Sequence, residues 1–144
     1  MPMPDEPNLI LLDTHIWLWL ESGVPQAVSP KLRALIEKLT PASAIRVSAI
    51  SAWEIGILVA KNRIAFTIGL REWINRAMGA PGIQMEPVDT EIAMESTKLP
   101  GQLHGDPADR ILLATAKKIG ATFITHDKEI LSYCKKQGLS ALSL

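Results

Sequence analysis

The apolar run Leu9–Leu12 stops abruptly at Asp13. A short, unbroken apolar run without alternation suits a strand buried on both faces, and such strands belong to parallel sheets covered by helices. Ala121–Thr125 has the same character, and Asp127 follows it within two residues. Two buried strands, each delivering an aspartate at its carboxyl end, constrain the fold more than any other feature. The segments between them must supply helices for both faces of the sheet.

Those helices are legible. Thr14–Glu21 is apolar nearly all round, with Gly23 as its stop. Ser29-Pro30 places a cap before a first-turn proline and predicts a helix to about Leu39. Ser48 or Ser51 caps a helix reaching about Asn62, with Ile50, Trp53, Ile57 and Ala60 at helical spacing. Phe66–Met78 reads as an amphipathic helix and Thr90–Lys98 as a helix halted by Pro100. Asp106-Pro107 opens a helix over Ala108–Lys118 that Gly120 closes, and Lys128–Gln137 is the last helix. Ala44–Val47 and Ile83–Val88 complete the expected strands. The order predicts an α/β sandwich around a mostly parallel sheet.

The chain has 144 residues, enough for one domain, here 1–144 with residues 1–8 as a loose Pro-rich arm. Hydrophobic residues at 47% and charged residues at 21% exclude wholesale disorder. Fifteen basic and fifteen acidic side chains cancel, so any nucleic-acid binding must use a local patch instead of a whole-molecule field. The single cysteine, Cys134, suits a reducing compartment. The first basic residue is Lys31, so the basic start of a secretory signal is missing. Leu9–Leu20 is broken by Asp13 and His15 and is too short for a bilayer, which needs about 20 apolar residues. The expectation is a soluble, cytoplasmic protein that does not engage a membrane.

Nucleophile elbow, Walker and dinucleotide-binding motifs are missing, as is zinc-ligand spacing. What stands out is the placement of acids. Asp13 and Asp127 follow strands, while Asp106 and Asp109 lie three apart at a helix start and share a face. Glu54 sits early in the helix after the second strand. In an open parallel sheet, strand ends and the helix starts that follow them line one crevice. Each acid also has a plainer reading. Asp13, Asp106 and Asp127 suit helix caps, Asp109 suits the helix dipole, and Ser51-x-x-Glu54 matches a capping box if the helix begins at Ser51. Gathered in one crevice, however, they would repel one another, and a hard divalent cation relieves that repulsion. Mg²⁺ or Mn²⁺ is the natural choice. One such ion can lower the pKa of a water that attacks a phosphodiester while a second stabilises the leaving oxygen.

The three histidines all neighbour acids, and outer or solvent-exposed roles suit His15, His104 and His126. His126-Asp127 does not fit a His-Asp phosphohydrolase, which needs a helical setting and a later aspartate. Arg46, Lys61, Arg63, Arg110, Lys117 and Lys118 are available for phosphate contact, Arg110 beside Asp109 foremost. Trp53 and Trp73 fit core stripes, but Trp17 and Trp19 cannot both point inward from one short helix, so an exposed tryptophan there marks a partner surface.

Leu11-Leu12-Asp13-Thr14-His15, Ser51-Ala52-Trp53-Glu54-Ile55, the stretch Gly105–Ala114 containing Asp106-Pro107-Ala108-Asp109-Arg110, and Thr125-His126-Asp127 together resemble PIN-domain ribonucleases, specifically VapC-type toxins of toxin–antitoxin pairs. The match runs in order from about residue 9 to residue 133. The resemblance implies a PIN-like three-layer sandwich with four acids holding Mg²⁺ or Mn²⁺, namely Asp13, Glu54, Asp109 and Asp127 by motif position. It makes Asp106 a cap or outer group and Thr125 the support of the final acid. It implies endonucleolytic cleavage of RNA, inhibition by a cognate VapB-type antitoxin that lays an apolar helix into a groove, and homodimers within larger assemblies. Trp17, Trp19 and Trp53 are the antitoxin-contact candidates. A non-catalytic PIN-like protein- or RNA-binding module is the alternative. A haloacid-dehalogenase or receiver domain is a weaker one, because the second acid or the late strand-end lysine those folds need is missing.

Overall fold

The computed structural model describes residues 6–24 and 28–144. Five strands, β1 (Ile10–Leu12), β2 (Ile45–Ser48), β3 (Ile83–Glu86), β4 (Thr122–Ile124) and β5 (Ala141–Leu142), form one sheet in the order β3-β2-β1-β4-β5. Every pairing is parallel. The connecting helices are α1 (Thr14–Glu21), α2 (Pro30–Leu39), α3 (Ala49–Ala60), α4 (Leu70–Met78), α5 (Thr90–Ser96), α6 (Pro107–Ile119) and α7 (Lys128–Gln137).

Alternation along the strands divides the core. Ile10 and Leu12 of β1, with Ile45, Val47 and Ile124, face a cluster built by α1, α2, α3 and α4. Leu11 and Phe123 point the other way, into a cluster with Leu112, Leu113, Ile130 and Tyr133 of α6 and α7. The sheet is therefore buried on both faces, as its unbroken apolar strands require. Cys134 lies in the second cluster, where burial pushes its thiol up to about 11.

The helix expected from Phe66 begins at Leu70, after Gly69 in extended backbone, and Phe66 instead stacks on Trp73 at 4.5 Å. Its apolar character serves packing outside the helix. Helix α5 ends at Ser96, where the Ser96 and Thr97 hydroxyls donate back to the Ala93 and Met94 carbonyls. The third strand stops at Glu86, short of the expected Val88, and β5 adds a strand beyond the four expected from sequence. Of the arm, residues 1–5 lie outside the described residues, while the Glu6 carboxylate accepts from Lys38. Among the described residues, no helix is long and apolar enough to cross a membrane.

Candidate metal centre

The sheet order brings β1 and β4 side by side, and both end at the same edge of the molecule. The Asp13 N–H donates to the Ile124 carbonyl at 2.9 Å, so the aspartate after β1 stays beside the end of β4. Asp13 caps α1. One oxygen, Oδ1, accepts the Thr14 N–H, and Oδ2 accepts the Thr125 hydroxyl at 2.7 Å. Thr125 is fully buried, and its Oγ1 also accepts the Asp127 N–H at 3.1 Å. Asp127 in turn caps α7 through Oδ1, which receives the Glu129 and Ile130 N–H groups. Three residues at two adjacent strand ends are thus locked into one hydrogen-bonded unit.

Helix α3 begins at Ala49 under a Ser48 cap, which puts Glu54 in the second turn and removes the capping-box reading of Ser51-x-x-Glu54. Thr14, only 1% exposed, connects it to the strand-end acids. Its hydroxyl donates to Glu54 Oε1 at 2.6 Å and lies 2.8 Å from Ser51 Oγ, so Ser51 is left to donate to it. The Thr14 hydrogen cannot serve both partners. This hydroxyl bridge differs from the capping role that the linear sequence suggests for Ser51. The adjacency of Thr14 to Asp13 was the one signal available.

Asp106 caps α6, accepting the Ala108 and Asp109 N–H groups with Pro107 in the first turn. One face-sharing step on, Asp109 points into the crevice. His104 Nε2 lies 3.3 Å from Asp109 Oδ2, and His104 Nδ1 accepts the Asp106 N–H at 3.3 Å. Donor atoms of His104, Asp109 and Asp127 all fall within 4.8 Å of one another.

The electrostatics record the convergence. Desolvation raises the Asp109 carboxyl to about 7, with Asp106 and Asp13 adding to the rise, His104 opposing it and Glu54 contributing. Burial raises Asp13 as well, against the Thr125 and Thr14 hydrogen bonds, and Asp127 pushes in the same direction as burial. Glu54 is raised by burial, opposed by the Thr14 hydroxyl, with Asp13 and Asp106 adding repulsion. Asp13, Glu54, Asp109 and Asp127 therefore meet in one crevice from four separate parts of the chain. Desolvated carboxylates that repel one another suit a hard divalent cation, and the donor atoms standing closest together are those of His104, Asp109 and Asp127.

Other candidates are placed differently. Arg110 is turned away from phosphate contact, because its guanidinium donates to the carbonyls of His104, Ser96 and Leu103, fixing the loop before α6. Arg46 pairs with Glu86, and Lys118 pairs with Asp89 and Glu91. Lys61 instead lines a groove beside the acids, with His15, Trp53, Glu54, Ile57 and Ala108. Trp17 is fully buried against Trp73, which removes it from any partner surface. Trp19 is half-buried between His15 and His126. Trp53, expected in the core, is 56% exposed, since α3 buries Ser51 and Ile55.

The PIN domain family model matches residues 10–136. Ribonuclease VapC22 of Mycobacterium tuberculosis is 32% identical over 124 residues, which span 86% of this chain and 91% of that protein. VapBC2 of Rickettsia felis, solved bound to a DNA fragment from its promoter, superposes with a TM-score of 0.69 at 15% identity, covering 94% of this chain and 98% of the other. FitAcB of Neisseria gonorrhoeae gives 0.64 at 18% identity, covering 94% and 97%. At these identities the two structures share the fold.

Proposed function

This chain belongs to the PIN-domain family and is VapC-like within it, and from that premise we propose that it is a metal-dependent endoribonuclease, the toxin of a toxin–antitoxin pair. The observation that carries the reading is the meeting of Asp13, Glu54, Asp109 and Asp127 in one crevice, three of them with raised proton affinity. Asp13, Glu54, Asp109 and Asp127 would hold Mg²⁺ or Mn²⁺. When bound, the ion supplies an acidified water and positive charge facing the scissile phosphate of an RNA strand.

The residues around the acids divide the remaining work. Thr125 aims Asp13 and fixes the backbone of Asp127, and Thr14 aims Glu54. Fixed carboxylates need little reorganisation when charge develops, which is where preorganised sites act. Lys61, on the groove wall, is the cation placed to meet the RNA backbone. Asp106 and Arg110 build the loop and helix start that present Asp109.

The same groove is suited to inhibition. Trp53 and Ile57 offer an apolar face next to the acids, which fits an amphipathic helix of a VapB-type antitoxin. A solved toxin–antitoxin complex from Klebsiella pneumoniae shares the fold along with VapBC2 and FitAcB, which supports that partner class, and homodimers and larger complexes belong to the same proposal. The proposal includes a cytoplasmic site of action, where RNA and such a partner are both available.

The test is cleavage of single-stranded RNA by the purified chain with Mn²⁺, compared with Asp13→Asn and with the chain in EDTA. Cleavage by the wild type, lost in both comparisons, is the expected result. Undiminished cleavage by Asp13→Asn would refute the assignment. RNA binding without cleavage by the wild type would favour the non-catalytic module.

A further inference from the structure

We propose that the rings of His15, Trp19 and His126 form a stacking strip for unpaired nucleobases of the RNA strand, immediately beside the acids that act on its backbone. The proposal deepens the nuclease reading and rests on it in taking RNA as the molecule that crosses the crevice. Three observations carry it. First, the rings are contiguous. The His15 and Trp19 ring centroids lie 5.7 Å apart, and those of Trp19 and His126 lie 6.2 Å apart. His15 and Trp19 are four residues apart on α1 and share a helix face, while His126 joins them from just beyond the end of β4. Second, the strip is open. His15 and His126 are exposed and Trp19 is half-buried, whereas the same helix buries Ile16, Trp17 and Leu18 for the core. Third, the strip adjoins the acids at both ends. His15 lies two residues after Asp13 and lines the groove that holds Glu54 and Lys61, and His126 directly precedes Asp127.

The chemistry of these rings favours a base over an apolar partner helix. A nucleobase offers a flat π-face to aromatic side chains and keeps its polar edges in water, and one such contact typically adds about 5-fold or more to affinity. An apolar helix would have to strip water from two exposed imidazoles without replacing their hydrogen bonds. His126 is held by its edge, since the Leu144 carbonyl accepts from Nε2 at 2.9 Å, and that bond uses none of the ring face. Neighbouring Cα atoms are about 3.8 Å apart, so a phosphodiester on the acids brings its own nucleotides within reach of His15 and His126. Stacking inside a duplex covers the base faces, so the strip selects unpaired nucleotides.

The experiment measures binding of a fluorescein-labelled oligouridylate by anisotropy in EDTA, which stops metal-dependent cleavage. The wild-type chain is compared with His15→Ala, His15→Tyr, Trp19→Leu and Trp19→Phe, and an abasic strand of equal length is the second probe. The expected result is affinity for oligouridylate lowered about 5-fold or more in His15→Ala and Trp19→Leu, and kept within about 2-fold of wild type in His15→Tyr and Trp19→Phe. The abasic strand should bind more weakly than oligouridylate to the wild type and equally to all five chains. Unfolding temperatures accompany every variant, and because His15 is exposed, the His15 pair decides the matter if Trp19→Leu folds poorly. Wild-type affinity for oligouridylate in His15→Ala overturns the proposal, as does a wild type that binds oligouridylate no better than the abasic strand. An equal loss for the abasic strand overturns it too, since the rings would then act on the backbone or the fold. Loss of antitoxin affinity in these variants with RNA affinity unchanged would assign the strip to the protein partner. A chain with ring-dependent binding that cleaves no RNA with Mn²⁺ fails the nuclease reading and leaves the strip standing, whereas cleavage with ring-independent binding fails the strip alone.

Discussion

Thr125 and Asp13, 112 residues apart in sequence, share a hydrogen bond of 2.7 Å between the hydroxyl and Oδ2, and the same hydroxyl accepts the Asp127 N–H. One buried side chain thereby sets the relation between two acids. Thr125→Val keeps the shape and removes both bonds, leaving a buried carboxylate oxygen and an N–H without partners. The expected outcome is a stability loss of about 1–3 kcal/mol in denaturant titration, with cleavage reduced at least about 10-fold. Thr125→Ser, which keeps the hydroxyl, should retain most of the activity. Equal activity in Thr125→Val and wild type would contradict the role given to this hydroxyl.

Metal-free stability should fall as pH rises. Asp109 titrates near 7 in the folded chain against an ordinary value of 3.8, so the native state holds a proton that the unfolded state has released. Unfolding stability then decreases across the window from about pH 4 to about pH 7 and is flat below it, where both states are protonated. Asp13 and Glu54 are raised too and act in the same direction. Solvent at the partly exposed crevice limits the Asp109 contribution to the order of 1–2 kcal/mol. Asp109→Asn should flatten part of this slope in EDTA and be more stable than wild type at pH 8. Urea titrations at pH 4.5 and pH 8 decide the matter, and a wild type more stable at pH 8 would reverse the sign argued here.

How much of this was legible from sequence depended on what each residue must bury or cap. β1 and β4 announce themselves because a strand covered on both faces cannot tolerate polar residues, and Asp13 marks the end of one of them. Ser29, Asp106 and Asp127 precede helices as capping chemistry demands. β5 was hidden because two half-buried residues at a sheet edge carry no period. α3 misled for the opposite reason. It is apolar nearly all round, so the Ile50–Trp53–Ile57 spacing could not say which face turns inward, and the structure buries Ser51 and Ile55. Four acids were visible as candidates and the family resemblance marked Thr125 as a support, but the bridge through Thr14 was not visible, since a buried hydroxyl bridge from the start of α1 to Ser51 and Glu54 of α3 is a tertiary relationship. Nearness of Arg110 to Asp109 in sequence says nothing of the three carbonyls its guanidinium meets.

A cation that binds only the folded crevice must raise the unfolding temperature by mass action. At a free concentration about 100 times Kd the gain is about 2.7 kcal/mol. For a chain of this size that corresponds to roughly 6–10 °C. Wild type with Mn²⁺ should show such a rise, and the double variant Asp13→Asn with Asp109→Asn should show almost none. Scanning calorimetry with and without Mn²⁺ is the measurement. An equal rise in the double variant would move the ion away from the acids.

The two tryptophans Trp17 and Trp53 should behave in opposite ways. Trp17 is fully buried and meets Trp73 edge-on at 5.6 Å, so Trp17→Ala opens a cavity in the first core and should cost about 3–5 kcal/mol. Trp53 is 56% exposed on the groove, and Trp53→Lys should leave unfolding within about 0.5 kcal/mol of wild type. Its effect belongs to partner binding instead. A large aromatic beside an apolar groove is the kind of residue that dominates helix docking, and replacing it should weaken antitoxin affinity by about 30-fold or more. Lysine also puts a positive charge where the partner's apolar face must sit, so the loss should appear mainly as faster dissociation. Surface plasmon resonance with the cognate antitoxin, alongside denaturant titrations of both variants, separates the two behaviours. Unchanged antitoxin affinity in Trp53→Lys would place the docking surface elsewhere, whatever the fate of Trp17→Ala.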